Sequence, residues 1–168
     1  GEIYGMCDYP TYDLNNPRDL TVAYSDEKIA EIEKLPEKER MIAIYELWSA
    51  YGVHTMYEPG SVFKTFTVAT ALEEAISDSE DMYVCDGVGI YDSSKILCHG
   101  GDGHGDMSLG ESLALSCNDA LMQIAMKEGV TMFSKYIRAF NFGEITGVEL
   151  PYETSGMLIS PDKMMDVD

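Results

Sequence analysis

Basic residues are scarce in this sequence: Lys and Arg number 11 against 30 Asp and Glu, for a formal net charge of -19 at pH 7. A chain this acidic repels phosphate backbones and anionic lipid surfaces, so nucleic acid is excluded as an expected partner. The acidic residues are expected to solvate exposed faces rather than to bind cations.

Long apolar runs are also lacking, as is the basic, apolar and small-residue order of a signal peptide at the N-terminus. The chain opens at Gly1-Glu2-Ile3 in what resembles a strand already under way, so any membrane anchor is expected upstream of it. Repeats and low-complexity tracts are absent. What remains is 168 residues, 45% hydrophobic and 24% charged, which fits one globular domain with one core.

Cysteine is limited to four positions, Cys7, Cys85, Cys98 and Cys117. Cys85 and Cys98 bracket a polar stretch with strand-like ends and are candidates for a disulfide across a hairpin in an oxidising compartment. A zinc site made of Cys85, Cys98, His99 and His104 is the alternative, although the spacing matches no standard zinc pattern.

Apolar periodicity predicts a largely helical chain with short strands. Two helices are expected between Asp26 and Ala50, divided at Pro36, with Gly52 ending the second. A buried helix is expected from Ser61 to Ile76, strands and loops from 81 to 105, and a helix opened by the Ser108/Glu111 capping box. Further helices are predicted over 119–128, ending at Gly129, and 131–139, with loop and short strand from Asn141.

The strongest chemical signal is Ser61-Val-Phe-Lys64 at the start of the buried helix. Residues three apart share a helix face, so the amine lies near the hydroxyl and can take its proton if desolvation lowers the lysine pKa. The helix N-terminus favours negative charge developing there. Taken alone, the tetrapeptide is better explained by Ser61 as a helix cap with Lys64 solvated, because such tetrapeptides often arise by chance.

Other sequence motifs favour the reactive serine–lysine pair over the helix cap. Tyr57-Glu-Pro-Gly-Ser-Val-Phe-Lys64 resembles the Y-E-P-G-S-x-F-K block of class B penicillin-binding proteins, and Ser116-Cys-Asn118 resembles their S-x-N motif. The segment 9–17 and Trp48 upstream, and His104-Gly105 and 142–156 downstream, resemble further family blocks in the same order.

The resemblance implies a penicillin-binding protein/β-lactamase-like transpeptidase fold of the α+β class. In that fold we expect an antiparallel sheet flanked by helices and a mainly helical lobe whose Ser116 loop faces Ser61. It further implies Ser61 as nucleophile, Lys64 as its proton acceptor, Ser116 as a proton relay and Asn118 as a ligand of the substrate backbone. Cys117 is expected to point away into packing. No metal or cofactor is implied.

The chain departs from the family pattern at two places. Ala50 stands where the family often has asparagine, and no K-[ST]-G tripeptide occurs. In the family that third motif recognises the substrate carboxylate and supplies one oxyanion-hole donor. We therefore expect residues 1–168 to be the N-terminal and central part of a transpeptidase domain with an incomplete sheet, nearly inert alone.

The function implied by the resemblance is D,D-transpeptidation of peptidoglycan stem peptides ending in D-Ala-D-Ala, with β-lactams acylating the same serine. The expected location is the extracytoplasmic face of a bacterial cell membrane, with a glycosyltransferase as a candidate partner. A β-lactam-sensing domain with slow deacylation and a serine β-lactamase of the same fold are the alternatives.

Overall fold

The computed structural model describes residues 2–91 and 94–164. The chain divides into two compact units: unit 1 comprises Gly1–Met56 and Gly147–Thr154, and unit 2 comprises Tyr57–Thr146 and Ser155–Asp168. Among the described residues, no helix is both long and apolar enough to cross a membrane.

Unit 1 is built from short helices. Helix α1, Asp26–Ile32, begins after Ser25, whose hydroxyl accepts a hydrogen bond from the Lys28 amide. Helix α2, Glu37–Trp48, starts after Pro36, which confirms the predicted division. The predicted end at Gly52 is wrong, because Ser49 already has extended backbone angles and Gly52 lies inside helix α3, Tyr51–His54.

The apolar stripes of these helices bury a small core of Ile32, Ala43, Ile44, Leu47 and Val53. Two long-range contacts attach loops to it. The Trp48 indole donates to the Pro17 carbonyl at 2.6 Å, and the Thr154 amide donates to the Val53 carbonyl at 3.0 Å.

The strand expected at the start of the chain does not form, since residues 2–7 have no regular structure. A strand is stable only when its backbone N–H and C=O groups are paired, and no partner strand lies beside this segment within the described residues.

Unit 2 combines helices with short strands. A 3-10 turn, Gly60–Phe63, leads into α4, Lys64–Glu73. Helix α5, Leu109–Ala114, opens with the predicted reciprocal capping box of Ser108 and Glu111. Helix α6, Asn118–Ala139, is interrupted at Gly129, whose φ of 67° and ψ of 162° are not helical, so the predicted end there is confirmed.

Four strands complete the described part of unit 2: β1, Met82–Cys85; β2, Val88–Tyr91; β3, Ser94–Leu97; and β4, Gly105–Ser108. β1 pairs antiparallel with β4, and β2 pairs antiparallel with β3. The predicted mixture of helices and an incomplete antiparallel sheet is confirmed. The short strand expected after Asn141 is absent from the described part of the tail.

The core of unit 2 lies where α6 packs on α4 and on β1. Its side chains are mostly small or sulfur-containing, which lets the elements approach closely. Its buried members are Val68, Ala71, Tyr83, Cys85, Cys98, Met107, Leu109, Cys117, Ala120, Leu121 and Ile124.

Candidate functional site

Lys64, at the first turn of α4, contacts the Ser116–Asn118 loop. Its ammonium donates to the Ser116 carbonyl at 2.6 Å, to the Ser116 hydroxyl at 3.0 Å and to Asn118 Oδ1 at 2.6 Å. An ammonium has three donors, and all three are used here. Residues 52 and 54 positions apart in sequence therefore form one polar cluster.

Two opposing effects act on the Lys64 ammonium. Burial lowers the pKa of Lys64, as the sequence predicts, while Coulombic interaction with Cys98 and Cys117 opposes that shift. The apolar surroundings come partly from Phe63, whose ring lies 5.3 Å from Phe66 and 5.4 Å from Phe142 between centroids. The half-buried amine is thus poised to lose its proton more easily than a surface lysine.

Asn118 is oriented from both ends of its side-chain amide. Its Nδ2 donates to the Leu97 carbonyl at the end of β3, at 2.8 Å. Because only the NH₂ end can donate to a carbonyl, Oδ1 must point toward Lys64. The Leu97 carbonyl was not anticipated from the sequence, because no side-chain pattern marks a backbone acceptor.

Ser116 has an unusual backbone conformation for a residue with a side chain, with φ of 51°. It occupies the left-handed position at which α5 ends. The Ser116 amide donates to the Leu113 carbonyl and the Cys117 amide to the Ser112 carbonyl, which is the Schellman pattern that usually employs glycine. A strained backbone conformation persists where surrounding contacts hold it. In this conformation the Ser116 hydroxyl lies 3.0 Å from the Lys64 amine.

Ser61 lies in the 3-10 turn that precedes α4 and is exposed. The Lys64 amide donates back to the Ser61 carbonyl, so the two residues occupy the ends of one turn. In a 3-10 turn, side chains three apart project in the same direction. The structure brings Lys64 together with Ser116 and Asn118, but among the described residues no hydrogen bond joins the Ser61 hydroxyl to the Lys64 amine.

An open, mainly apolar cavity of about 370 Å³ adjoins this cluster. Lys64 and Asn118 supply polar groups to its wall, and the remaining lining includes Phe63, Ile96 and Leu121. Concave apolar surface with a few convergent polar groups is typical of a ligand site.

A second polar contact, also missed by sequence reasoning, fixes the start of α6. The Tyr91 hydroxyl on β2 donates to the buried Asp119 carboxylate at 2.5 Å. Burial raises the pKa of Tyr91, and the Asp119 hydrogen bond adds to the shift. This bond attaches the β2–β3 hairpin to the residue that follows Asn118.

The four cysteines are free thiols, so the Cys85–Cys98 disulfide is not formed in this structure. Cys117 is fully buried, as predicted, and burial raises its pKa to about 12, which argues against a nucleophilic role. Cys85, Cys98 and His104 do converge, but the fourth member of the cluster is Cys117 instead of the predicted His99, which is exposed.

Residues 1–167 match the model of the penicillin binding protein transpeptidase domain. Stage V sporulation protein D of Bacillus subtilis is 33% identical over 117 residues, covering 69% of this chain and 18% of that protein. Peptidoglycan D,D-transpeptidase MrdA of Acinetobacter baumannii is 29% identical, covering 68% of this chain and 17% of that protein. The chain thus spans under a fifth of the length of these two relatives.

A solved structure shows the same fold. The D,D-transpeptidase domain of a peptidoglycan glycosyltransferase from Eggerthella lenta superposes with a TM-score of 0.70 at 20% identity, covering 93% of this chain and 34% of that one. At this identity the likeness concerns the fold alone.

Proposed function

Because the chain belongs to the penicillin-binding protein transpeptidase domain family, we propose that the protein containing it is a peptidoglycan D,D-transpeptidase that works through a serine acyl-enzyme. The substrates are stem peptides ending in D-Ala-D-Ala, and β-lactams acylate the same serine. The alternatives, a β-lactam sensor and a serine β-lactamase, have no specific observation in their favour.

The observation that carries the proposal is the contact of Lys64 with Ser116 and Asn118. Two short motifs far apart in sequence meet at one amine, which a helix cap and a solvated lysine would not require. The lowered pKa of Lys64, caused first by burial, suits a group that must accept a proton near neutral pH.

In the proposed mechanism Lys64 in its neutral form accepts the proton of Ser61 as Oγ attacks the penultimate D-alanine carbonyl. A neutral amine offers two donors and one lone pair, so one of the three present hydrogen bonds must be released. The Ser116 hydroxyl is suited to that exchange, because it can rotate from accepting to donating. It then relays the proton to the leaving D-alanine amine, while Asn118 binds the peptide backbone.

The K-[ST]-G motif is not in this sequence, so the activity is proposed for the protein that contains the chain, and residues 1–168 are proposed as the N-terminal and central part of the domain. With one oxyanion-hole donor missing, the chain alone should acylate slower by about 10²–10³-fold. The proposed location is the extracytoplasmic face of a bacterial membrane, with a glycosyltransferase as a proposed partner.

The test is intact mass spectrometry of the protein after incubation with a labelled penicillin. We expect one adduct per chain in the wild type and none in Ser61→Ala, since the bond forms at that oxygen. Ser79→Ala, which alters another exposed serine of unit 2, is the matched control and should label normally. Labelling that persists in Ser61→Ala would exclude the mechanism, and adduct loss within seconds would favour a β-lactamase.

A further inference from the structure

The β2–β3 hairpin contacts two consecutive residues at the start of α6. The Leu97 carbonyl of β3 accepts a hydrogen bond from Asn118 Nδ2 at 2.8 Å. The Tyr91 hydroxyl of β2 lies 2.5 Å from Asp119 Oδ1 and 2.9 Å from the Asp119 carbonyl oxygen. We propose that Tyr91 and Asp119 are positioning residues for the acylation of Ser61. They hold the hairpin where its Leu97 carbonyl orients Asn118.

Asn118 can serve Lys64 only while its side-chain amide keeps one orientation. Its Oδ1 accepts a hydrogen bond from the Lys64 ammonium at 2.6 Å, while its NH₂ end donates to the Leu97 carbonyl. Rotation of the amide about the Cβ–Cγ bond would instead turn the NH₂ donors toward the ammonium. The position of β3 relative to the start of α6 therefore decides whether Asn118 presents an acceptor to Lys64.

The Asp119 carboxylate connects α6 to two strands. Asp119 is buried, and its Oδ1 also accepts a hydrogen bond from Gln123 Nε2 at 3.4 Å, one helical turn further along α6. The same Nε2 donates to the Val84 carbonyl of β1 at 2.8 Å. Burial raises the pKa of Tyr91, so its hydroxyl keeps the proton that it donates. Asp119 thus joins α6 to β2 directly and to β1 through Gln123.

Gly89 on β2 provides the space for this contact. A Cβ atom added to Gly89 would overlap Cε2 of the Tyr91 ring and lie 2.7 Å from Asp119 Oδ1. The backbone conformation does not require glycine, because Gly89 lies in a regular strand, opposite Ile96 of β3, and its φ is not positive. Glycine weakens the interior of a strand and often marks a close approach by another group. Here that group is the Tyr91 ring on Asp119.

A purely structural role for the contact is the alternative, since a buried carboxylate needs hydrogen bonds wherever it lies. The positions of the residues favour positioning. Asp119 follows Asn118 directly in the chain, and the carbonyl that orients Asn118 lies on the strand that pairs with the strand of Tyr91. Movement of Tyr91 away from Asp119 would therefore displace the Leu97 carbonyl from Asn118. The two roles are separable by experiment, because only positioning acts through Asn118.

The test is the limiting rate of penicillin acylation of the protein that contains this chain. Tyr91→Phe removes only the hydroxyl and should lower the rate by about 10- to 100-fold, as small displacements of catalytic groups do. Gly89→Ala should give a similar loss, because the added methyl group displaces the Tyr91 ring. This second variant leaves every hydrogen-bonding group of the network in the protein.

Matched controls change the same residue types elsewhere in unit 2. Tyr83→Phe removes another hydroxyl from the same core, one that lies 2.6 Å from the Ser77 hydroxyl, and should acylate like the wild type. Gly110→Ala places a methyl group where nothing lies within 4 Å, and should also acylate like the wild type. Equal losses in Tyr83→Phe and Tyr91→Phe would overturn the proposal, since the loss would then follow from a weakened core.

A second measurement determines whether Tyr91 acts through Asn118. In an Asn118→Ala background the group to be positioned is absent, so adding Tyr91→Phe should change the rate by less than about twofold. Asp119→Asn keeps an acceptor for the Tyr91 hydroxyl and should acylate faster than Asp119→Ala. Equal fold losses with and without the Asn118 side chain would refute positioning, as would a wild-type rate in Tyr91→Phe.

The proposal rests on the proposed function, and the two fail in different ways. If the proposed function is wrong, the wild type itself is not acylated at Ser61, and the assignment of Tyr91 and Asp119 falls with it. If only the positioning role is wrong, the wild type is acylated at Ser61 while Tyr91→Phe and Gly89→Ala match its rate.

Discussion

Lys64 and Glu128 are both ionisable side chains of unit 2 that the fold withdraws from water, but only Lys64 has polar partners. Lys64 donates to three oxygens, whereas both carboxylate oxygens of Glu128 are buried without a hydrogen bond among the described residues. Burial favours the neutral form of each side chain. It therefore lowers the pKa of Lys64 and raises that of Glu128 to about 8.

Burial costs both side chains their hydration. For Lys64 this cost has a proposed use in catalysis, whereas for Glu128 it has none. For Lys64 the three oxygen acceptors partly offset the loss of hydration. Burial still lowers the pKa of Lys64, so its ammonium loses a proton more easily than that of a surface lysine. For Glu128 no hydrogen bond from the described part of the chain offsets the lost hydration, so the ionised carboxylate destabilises the fold. Its position explains the burial: Leu121, Ile124 and Glu128 recur at helical spacing on the buried side of α6.

The largest expected effect comes from removing the partnered group. Lys64→Met keeps an unbranched apolar stem and removes the amine, so penicillin acylation should fall by about 10²–10⁴-fold, the usual contribution of a positioned base. The rate is measured with a fluorescent penicillin under single-turnover conditions. Lys95→Met, on the exposed side of β3, is the control and should acylate like the wild type. A Lys64→Met rate within threefold of the wild type would contradict the assigned base.

The second effect concerns the unpartnered group and depends on pH. The pKa of Glu128 rises from 4.5 in the unfolded chain to about 8 in the fold because of burial. Between these values only the folded state keeps the proton, so stability falls as pH rises and levels off above about pH 8. From pH 5.5 to 8.5 this single carboxyl should cost about 3 kcal/mol.

Urea unfolding of the wild type and Glu128→Gln at both pH values measures this cost. The amide does not titrate, so the variant should lose about 3 kcal/mol less than the wild type over that interval. Glu128→Leu should also be more stable than the wild type at pH 8.5, since leucine continues the apolar stripe. Parallel pH profiles for wild type and Glu128→Gln would show that the carboxyl is hydrated.

Local features of both regions could be predicted from the sequence. Pro36, the Ser108/Glu111 pair and Gly129 act on their own neighbours in the chain, and the structure has helix boundaries at all three. Motif resemblance likewise singled out Lys64 and Ser116 before their contact was known. Each of these predictions rests on a pattern within a few residues or on a family block.

Non-local features could not be predicted. Glu128 resembles any surface acid until the packing of α6 is known, and the choice between His99 and His104 depends on how the loop after Cys98 returns to β4. The burial of Cys117 was predicted, but its contact with the Cys98 sulfur was not, because the two residues lie 19 positions apart in the sequence. The prediction of a strand at the start of the chain was wrong for the same reason, because a strand forms only where a partner strand pairs with it.

The smallest expected effect tests the backbone that presents the Lys64 partners. Ser116→Ala and Ser116→Gly both remove the hydroxyl, but only glycine relieves the strain at φ of 51°, so the glycine variant should be more stable by about 0.5–1 kcal/mol. Both should lose acylation alike, since each lacks the relay. Ala75→Gly is the matched control at the end of α4, where φ is 52°, and should gain a similar amount with acylation unchanged. The prediction would be contradicted by equal urea midpoints for the two Ser116 variants together with a higher midpoint for Ala75→Gly. That result would mean that the left-handed conformation of Ser116 does not destabilise the fold.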